Sequence, residues 1–421
     1  MHICVLGAGI IGVTSAYRLL EAGHQVTLID AAAQPGSQAS YGNGAQLSYS
    51  YVAPLADPSV WRHWPEYLFG AASPLTLRPK MDSAQWHWLI KFLAACNAKR
   101  VRKTTVDLLQ LAFFGRAQLH QLMHTMPLAF QHRTAGKLVL YSEPNSLHAA
   151  RAQIAFQAQY GCRQEVVDTA RCLEIEPALA AARPHWAGGV YTPDEEVGDC
   201  ALFCQQLVDA MARQSGFRFA HSHRIGKLEM RGGALVAVHA GSEQIDADAF
   251  VLALGADSAG FARQAGFRLP LYPLKGYSIT LPLSGSAGQA APTVSITDLA
   301  RKIVYARLGD RLRVAGRVEL VGMDRSIPER AIDELKRGVD ALFPDCDCLS
   351  DSETLSPWTG FRPATPSGVP IIGASPVTNL YLNVGHGSLG WTLAHGSATL
   401  LAQLIAGEST SIDAGPFVFG A

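Results

Sequence analysis

The amino-acid sequence predicts an α/β protein in which a parallel sheet is assembled from distant parts of the chain around an inserted antiparallel sheet. Three observations favour this fold class. A buried strand, a glycine-rich turn and a helix follow one another at the amino terminus, the same order returns from residue 380, and short strand patterns dominate residues 270–320. Strands that alternate with helices are typical of parallel sheets, whereas consecutive short strands are typical of antiparallel ones.

The first 30 residues give the most specific pattern. Residues 2–6 are a continuous apolar run, as in a buried parallel strand, and residues 25–30 read as a second strand that ends in an acid. Between them lie G-x-G-x-x-G at 7–12 and a predicted helix over 13–21. This order of strand, glycines, helix, strand and acid predicts a dinucleotide-binding unit. Which dinucleotide it binds stays open at this point.

Chemistry explains why this unit needs glycine at three positions and an acid at the fourth. Gly7 allows a tight turn, Gly9 lets a pyrophosphate approach the backbone, and Gly12 lets the helix pack closely against the strand. The amino terminus of the helix presents free N–H groups and the positive end of the helix dipole to the phosphates. Asp30 can accept hydrogen bonds from the hydroxyls of a ribose.

Composition limits the protein class. The chain has 421 residues, of which 48% are apolar and 17% charged, with a formal net charge of zero. This predicts two well-cored, interleaved domains and disfavours nucleic acid as a partner. The motif starts at residue 2 and no apolar run is long enough to span a bilayer, so we expect no targeting peptide, no membrane-spanning helix and a cytoplasmic location. The eight cysteines match no paired zinc-ligand spacing, so we expect reduced thiols and no metal site.

The remaining periodicities predict further elements. Helices are expected over 57–126, 200–214, 327–343 and 391–405. Strands are expected at 136–141, 187–191, 217–220, 226–230, 234–239, 249–254, 277–281, 303–307, 312–315 and 380–383.

Three later segments are rich in glycine and other small residues, at 39–46, 251–258 and 385–390. The first could lay backbone N–H groups against a phosphate or be a surface loop, and the second could approach a ligand or be a simple strand exit. The third opens the final predicted helix, whose amino terminus can stabilise negative charge on a reduced ring. Together they indicate a cofactor that extends well beyond its adenine half, with its redox ring between two domains.

Six segments, read together, resemble one family: GAGIIG with Asp30, SYGNGAQ at 40–46, VLALGADS at 251–258, YPLKGY at 272–277, WTGFRPATP at 358–366 and NVGHGSLGWT at 383–392. They are similar to the FAD-dependent D-amino-acid oxidase superfamily and, within it, to the bacterial D-amino-acid dehydrogenase small subunits. The family's usual form of the second segment is closer to S-[FY]-A-N-A-G-Q, so Gly42, Gly44 and Ala45 depart from it, as does the stretch 47–54.

The resemblance implies a Rossmann-like, GR2-type FAD-binding domain with an interleaved antiparallel-sheet substrate domain. The FAD-binding domain is expected to comprise residues 1–80, 145–180, 195–258 and 355–421. The substrate-binding domain is expected to comprise residues 81–144, 181–194 and 259–354.

The resemblance also implies an activity, the oxidative deamination of D-amino acids to 2-oxo acids and ammonia. A hydride would pass from the substrate α-carbon to flavin N5, and the electrons would continue to a quinone or respiratory acceptor. Three alternatives stay open: a dehydrogenase of cyclic imino acids such as D-hydroxyproline, an oxidase of the same fold that reduces oxygen, and a flavin subunit of a larger complex. An NAD(P)-dependent dehydrogenase would leave the three later segments unexplained.

The resemblance places non-covalent FAD, since no cysteine lies near Gly360, where some relatives tether the flavin. The implied cofactor-binding residues are Gly7, Ala8, Gly9, Ile10, Ile11, Gly12, Asp30, Ala31, Ser40, Asn43, Gly44, Ala45, Gln46, Ile225, Leu254, Gly255, Gly360, Gly385, His386, Gly387, Ser388, Leu389 and Gly390.

Arg362 is the leading candidate for binding the substrate carboxylate, because a planar guanidinium can form two parallel bonds to it. Tyr277 could offer its phenol to the substrate or be a core residue, and His386 could contact the flavin ring or the substrate or be structural. Tyr49 and Tyr51, two residues apart in an extended stretch, would face the same side, and one of them could line the pocket. Arg362, Tyr277 and His386 are the candidate catalytic residues.

Residues 61–103 carry a separate hypothesis. Trp61, Trp64, Trp86 and Trp88 precede a basic cluster at 99–103. Aromatic side chains beside basic ones suit peripheral binding to an anionic membrane surface, here the inner face of the cytoplasmic membrane. The alternative is that the aromatic residues belong to the core and the charges form a solvated helix face.

Overall fold

A computed structural model describes residues 1–61, 75–283, 285, 287–349 and 355–421. In it, six strands drawn from both ends and the middle of the chain form a mostly parallel sheet in the order β10-β2-β1-β14-β21-β20. These strands are β1 (His2–Leu6), β2 (Gln25–Ile29), β10 (Phe217–Ala220), β14 (Ala249–Leu252), β20 (Ile371–Ala374) and β21 (Leu380–Val384). Only β20 is antiparallel to its neighbour. The assembly from distant segments agrees with the sequence prediction.

Helices cover one face of this parallel sheet and bury its apolar side chains. They are α1 (Ile10–Glu21), α3 (Ala98–Thr125), α6 (Cys200–Met211) and α10 (Gly390–Ala406). A Cβ on Gly115 of α3 would lie 3.1 Å from the backbone oxygen of Thr392, and one on Gly396 of α10 would lie 2.6 Å from that of Leu111. Glycine at both positions therefore lets α3 and α10 cross at close range.

The other face of the parallel sheet packs against a small antiparallel sheet and one short helix. These elements are β11 (Ile225–Arg231), β12 (Ala234–Ala240), β13 (Glu243–Asp246) and α7 (Ser258–Gln264). The parallel sheet is thus covered on both sides, as expected for strands that are apolar throughout.

A second large sheet is mostly antiparallel, in the order β19-β15-β18-β17-β16-β6-β8-β7, with β4 beside β18. Its strands are β4 (Leu75–Leu77), β6 (Lys137–Tyr141), β7 (Glu165–Val167), β8 (Gly188–Thr192), β15 (Tyr272–Pro282), β16 (Ser295–Asp298), β17 (Ile303–Leu308), β18 (Arg311–Leu320) and β19 (Ser356–Ala364). The helix α9 (Glu329–Leu342) buries one face of it through Leu335 and Val339.

The remaining elements connect the two large sheets or border them. A three-stranded sheet consists of β3 (Gln46–Leu47), β9 (Glu196–Val197) and β5 (Arg133–Thr134). The other helices are α2 (Ser83–Ala95), α4 (Pro144–Ala158), α5 (Thr169–Ile175) and α8 (Ala287–Ala290).

The predicted helical stretch 57–126 is wrong in one respect, since it contains β4 and is divided into separate helices. Asn97 interrupts it because its side-chain oxygen accepts a hydrogen bond from the backbone N–H of Arg100 and so caps α3. Residues 62–74, with Trp64 among them, lie outside the described residues. In the described part of the chain no helix is both long and apolar enough to span a membrane.

The packing departs from the expected domain boundaries in several places. The strands β4 and β19, expected in the cofactor domain, pair with β18 and β15 of the antiparallel sheet, and α7, expected in the substrate domain, packs on the parallel sheet. Residues 145–180 were assigned to the cofactor domain, yet β7 pairs with β8 in the antiparallel sheet. Residues 81–144 were assigned to the substrate domain, yet α3 packs against α10 over the parallel sheet. The hydrophobic pattern of a segment shows that one face is buried, but it does not show which of the two large sheets that face packs against. All eight cysteines lie in the described residues, are buried and form no disulfide bond.

Candidate active site between the two sheets

A cavity of about 610 Å³ lies where the carboxyl ends of the parallel strands meet the antiparallel sheet. Gly7 and Asp30 border it after β1 and β2, Leu254 after β14, and Gly385 after β21. Residues of β15 and β19, among them Arg362, form the opposite wall. Ligands of open parallel sheets bind at this edge, so the cavity has the position of a cofactor site.

The glycine turn has the geometry that its sequence predicts. Gly7 has a φ of +105°, and a Cβ there would lie 2.6 Å from the backbone oxygen of Ala253. A Cβ on Gly12 would lie 1.7 Å from the backbone oxygen of Gly7. Only glycine lets the first turn of α1 approach β1 this closely. Gly12 therefore shapes the turn from behind and does not border the cavity.

The amino terminus of α1 and Asp30 offer complementary groups to a ligand. Gly9 is the N-cap of α1 and supplies no side chain, and the backbone N–H of Ile10 donates to Ser40 Oγ at 2.9 Å. The Asp30 carboxylate accepts one backbone N–H on each oxygen, from Ala8 at 2.6 Å and from Ala32 at 2.8 Å. A carboxylate has lone pairs beyond those two bonds, so Asp30 can also accept from ribose hydroxyls. Ala8 itself stays behind the turn.

The cavity gathers most of the cofactor-binding residues implied by the sequence. Those that border it are Gly7, Gly9, Ile10, Ile11, Asp30, Ala31, Ser40, Asn43, Gly44, Ala45, Gln46, Ile225, Leu254, Gly255, Gly360, Gly385, His386, Gly387, Ser388, Leu389 and Gly390. Segments more than 300 residues apart thus meet along one cavity.

Arg362 presents a guanidinium group to the cavity from β19. Its Nη1 donates to the backbone oxygen of Arg317 at 3.1 Å, and no carboxylate forms an ion pair with it among the described residues. Burial lowers the pKa of Arg362 to about 10, so it remains charged at neutral pH. Arg362 is partly buried and its only hydrogen-bond acceptor among the described residues is a neutral carbonyl, so a ligand carboxylate would supply the missing opposite charge.

Two neighbours hold Arg362 in place, and sequence reasoning missed both. A Cβ on Gly276 would lie 2.4 Å from Arg362 Nη1, so the guanidinium lies directly over that glycine. Arg317, which offers its backbone oxygen to Arg362, has a φ of +58°. Its own guanidinium binds Glu319, at 3.2 Å, and Glu334. These ion pairs help to hold a strained backbone that directs a carbonyl at Arg362.

Tyr277 borders the cavity, but its phenol is committed elsewhere. The hydroxyl donates to Glu319 Oε2 at 2.7 Å, and the ring packs with the apolar residues under α9. Alternation along β15 places Tyr277 on the opposite face from Gly276. Burial and the bond to Glu319 raise the pKa of Tyr277 above its usual range. Of the two interpretations of Tyr277, these contacts favour the core residue over a phenol that binds the substrate.

His386 also borders the cavity, with its ring turned into the protein. Its Nε2 lies 3.1 Å from Ser397 Oγ of α10, and the residue is 3% exposed. Burial lowers the pKa of His386 to about 3, so the imidazole is neutral at physiological pH. His386 thus anchors the glycine-rich turn to α10, and its contact with the flavin or the substrate stays a prediction.

Tyr49 and Tyr51 do not face the same side. The Tyr49 hydroxyl donates to Glu196 Oε2 at 2.8 Å and the residue lies away from the cavity, whereas Tyr51 borders it. The chain bends between them, where the Glu195 carboxylate accepts the backbone N–H groups of Tyr49 and Ser50, each at 2.7 Å. Strict alternation holds only in a straight strand, so the prediction for Tyr49 is wrong and that for Tyr51 remains.

Lys137 borders the cavity, although no sequence motif predicts this position. Its Nζ donates to Gln46 Oε1 at 2.8 Å and to Ser48 Oγ at 3.0 Å, and it lies 4.2 Å from the centre of the Tyr51 ring. Burial lowers the pKa of Lys137 and raises that of nearby Glu195. A single lysine in a predicted strand carries no signal of this placement.

His120, His132 and Glu196 form a cluster outside the cavity that could in principle hold a metal ion. The two imidazole Nε2 atoms lie 2.6 and 3.1 Å from the Glu196 oxygens, and Tyr49 donates to the same carboxylate. The Nε of Arg116 lies 3.6 Å from Glu196 Oε1. Because donors and a guanidinium already surround this carboxylate, the geometry favours a hydrogen-bonded cluster over a divalent cation.

The sequence matches one family over nearly its whole length. Residues 2–404 match the DAO family, described as FAD-dependent oxidoreductases. The chain belongs to this family. The glycine turn, Asp30 and Arg362 all lie within the matched residues.

Curated relatives of this DAO-family chain share between a third and a half of its residues. The D-amino acid dehydrogenase 2 of Ralstonia nicotianae is 46% identical, over 99% of each chain. The D-amino acid dehydrogenase 2 of Pseudomonas aeruginosa is 44% identical, over 98% of this chain and 96% of that protein. The D-amino acid dehydrogenase of Vibrio vulnificus is 37% identical, over 100% of this chain and 99% of that protein.

Solved structures support the fold of the family. Glycine oxidase from Geobacillus kaustophilus superposes with a TM-score of 0.75 at 19% identity, over 99% of this chain and 97% of that one. L-proline dehydrogenase from P. horikoshii superposes with a TM-score of 0.74 at 16% identity, over 97% and 94%. The predicted α/β fold with an antiparallel insert is confirmed.

The residues around the cavity fit the FAD that the DAO family uses. The open end of α1 and Asp30 suit a pyrophosphate and a ribose, and the cavity continues from there to the second sheet. Asn383 borders the cavity with a buried Oδ1 that has no hydrogen-bond partner among the described residues. No cysteine borders the cavity in the described part of the chain, so no thiol is placed there to tether a flavin.

Replacing Gly12 with alanine should weaken FAD binding and folding together, because the new Cβ would lie 1.7 Å from the backbone oxygen of Gly7. We expect a loss of about 1–3 kcal/mol in the free energy of unfolding. Thermal melting of the apoprotein and titration with FAD measure the two effects. Gly226→Ala is the matched control, since its nearest neighbour would lie 3.8 Å away. Normal FAD affinity in Gly12→Ala would contradict the role assigned to this contact.

Proposed function

We propose that this chain oxidises D-amino acids to 2-oxo acids and ammonia and passes the electrons to a quinone. The single observation that supports an amino-acid substrate is Arg362, a charged guanidinium without a carboxylate partner in the wall of the cofactor cavity. The D stereochemistry rests on the relatives named D-amino acid dehydrogenase, which are 37% to 46% identical over nearly the whole chain.

The cavity wall suggests how the substrate is held. Arg362 binds the carboxylate through two parallel hydrogen bonds, while Gly276 and the Arg317 carbonyl fix the plane of its guanidinium. FAD held by the glycine turn, Asp30 and the turn at 385–390 would supply an acceptor for the hydride of the substrate α-carbon, and water would then hydrolyse the imine to the 2-oxo acid and ammonia. The protein's contribution is orientation: a carboxylate fixed at one point limits how the α-carbon can lie.

Anaerobic bleaching of the bound flavin tests the proposal. D-alanine and other D-amino acids should bleach the flavin absorbance within a turnover time, whereas the L-enantiomers, glycine and sarcosine should not. The hydroxyproline stereoisomers belong in the same screen, because bleaching by these alone would identify a cyclic imino-acid dehydrogenase. Failure of every D-amino acid would remove the proposed function.

The rate at which the reduced flavin is reoxidised by different acceptors identifies the electron acceptor. Mixed rapidly with a water-soluble quinone, the reduced protein should regain its flavin absorbance much faster than when mixed with air-saturated buffer. Faster recovery with oxygen than with the quinone would instead identify an oxidase.

Arg362→Ala should lower kcat/KM for D-alanine by about 30- to 5,000-fold, because truncating one partner of a charge pair that substrate binding desolvates costs about 2–5 kcal/mol. Arg362→Lys should recover only part of this, since an ammonium cannot form two parallel bonds. The protein should still bind FAD, which separates loss of substrate from loss of cofactor. Steady-state kinetics with a dye acceptor measure the effect, and an unchanged KM and kcat would contradict the assignment.

We further propose that α2 touches an anionic membrane surface. Met81, Trp86 and Ile90, hereafter the α2 patch, are exposed, and Ile90 is 67% exposed although it is strongly apolar. Lys80 and Lys91 are exposed beside them. An exposed apolar face with flanking lysines suits the interface of an acidic bilayer.

The other aromatic and basic residues of 61–103 do not all lie at the surface as the membrane hypothesis requires. Trp88 is 2% exposed, donates from Nε1 to the backbone oxygen of Ala364 and stacks on Phe92, so it belongs to the core. Within 99–103, Lys103 pairs with Asp107 and Arg102 lies over the Phe156 ring. The exposed α2 patch therefore supports the membrane proposal better than the basic cluster does.

Trp86→Ser combined with Ile90→Ser should reduce co-sedimentation with vesicles that contain phosphatidylserine by about tenfold or more, because two large apolar side chains leave the interface. Activity with a soluble dye should not change. Met230→Ser, an exposed apolar residue on β11, is the control that should keep vesicle binding. Equal binding of the double variant and the wild type would contradict the role of the α2 patch.

A further inference from the structure

A pair of glycines forms the floor of the cavity beside Arg362. Gly276 of β15 lies directly opposite Gly360 of β19 in the antiparallel ladder. Because side chains alternate along a strand, Trp358, Gly360 and Arg362 project from the same face of β19. All of them border the cavity. Because neither glycine has a side chain, this part of the sheet surface has room for the side chains of neighbouring residues.

Two side chains occupy that floor. The Arg362 guanidinium lies over Gly276, where a Cβ would be 2.4 Å from Nη1. The Trp358 indole lies over Gly360, where a Cβ would be 2.1 Å from Cη2. Directly paired residues of an antiparallel ladder have Cα atoms about 4.5–5.5 Å apart. The indole and the guanidinium therefore lie side by side.

The indole also lies close to a second glycine, Gly42. A Cβ on Gly42 would lie 2.2 Å from Trp358 Cδ2. The ring is thus held between the Gly42 backbone, which belongs to the cofactor segment, and the Gly360 backbone, which belongs to the antiparallel sheet. Backbone of two separate segments lies close to the ring, at its Cδ2 and at its Cη2, and limits how far the indole can move. Trp358 is therefore a rigid wall of the cavity.

We propose that Trp358 sets the upper limit on the size of the substrate side chain. This inference rests on the proposed function, in which Arg362 binds the substrate carboxylate. The α-carbon is bonded to that carboxylate, so the groups on the α-carbon extend over the neighbouring part of the floor, where the indole lies. The wall favours small and unbranched D-amino acids over those with bulky side chains.

The same contact accounts for the glycine at position 42 of the cofactor segment, residues 40–46. An alanine there would collide with the indole, so Gly42 and Trp358 form a matched pair. We therefore expect the two positions to act together on substrate choice, although they are far apart in sequence.

Trp358→Ala should raise kcat/KM for D-phenylalanine relative to D-alanine by about 10–200-fold, the range over which pocket volume discriminates between substrates. Trp358→Phe should give a smaller rise and guards against misfolding of the alanine variant. Trp61→Ala, which removes an exposed indole, is the matched control and should leave the ratio unchanged. Absorbance of bound flavin shows that each variant carries FAD.

A double-mutant cycle supplies the second readout. Gly42→Ala alone should disturb FAD affinity and the substrate ratio, whereas Gly42→Ala in the Trp358→Ala background should change neither further. Additive effects would overturn the inferred pairing. An unchanged ratio in both FAD-loaded Trp358 variants would overturn the size limit, and so would a loss of FAD affinity without a change in ratio. Absence of flavin bleaching by any D-amino acid in the wild type would instead refute the proposed function.

Discussion

The arrangement of the cavity depends on the guanidinium of Arg362, which lies in the cavity wall without a carboxylate partner among the described residues. Most buried charges of the described residues are compensated, as Arg317 is by Glu319 and Glu334. Arg362 has only a backbone oxygen. A cation with only a neutral acceptor favours a carboxylate ligand, which is the role proposed for Arg362. Gly276, the bent backbone at Arg317 and the stiff strand β19 all fix where that affinity acts.

The second constraint is the meeting of two sheets with different geometry. The parallel sheet brings helix termini and strand ends to one edge, which suits phosphates and a ribose. The antiparallel sheet presents a broad face on which an arginine and a tryptophan can be laid side by side. Neither sheet alone supplies both kinds of recognition. The cavity lies at their junction, so cofactor and substrate can meet there.

How much of this could be read from the sequence depends on whether the signal is local. Gly7, Gly12 and Asp30 are constrained by neighbours within 30 residues, and their positions agree with the prediction. The other glycine-rich segments also reach the cavity. The prediction for Tyr49 is wrong because the backbone bends where Glu195 binds it. The sequence could not decide between the two roles of Tyr277, because its partner Glu319 comes from another strand. Lys137 and Arg317 gave no signal, since their partners come from distant strands.

The strand order also has a consequence for synthesis of the protein. The strand β21 pairs with β14, whose other neighbour is β1, and it is followed by the glycine-rich turn and α10, so the cavity wall requires residues close to 390. A growing chain therefore carries the dinucleotide turn long before it has the partner strands and helix that enclose the cofactor. Contacts between such distant segments form slowly. FAD can be fully enclosed only by a nearly completed chain. Until β21 is synthesised, the unpaired backbone edge of β14 can pair with a strand of another molecule.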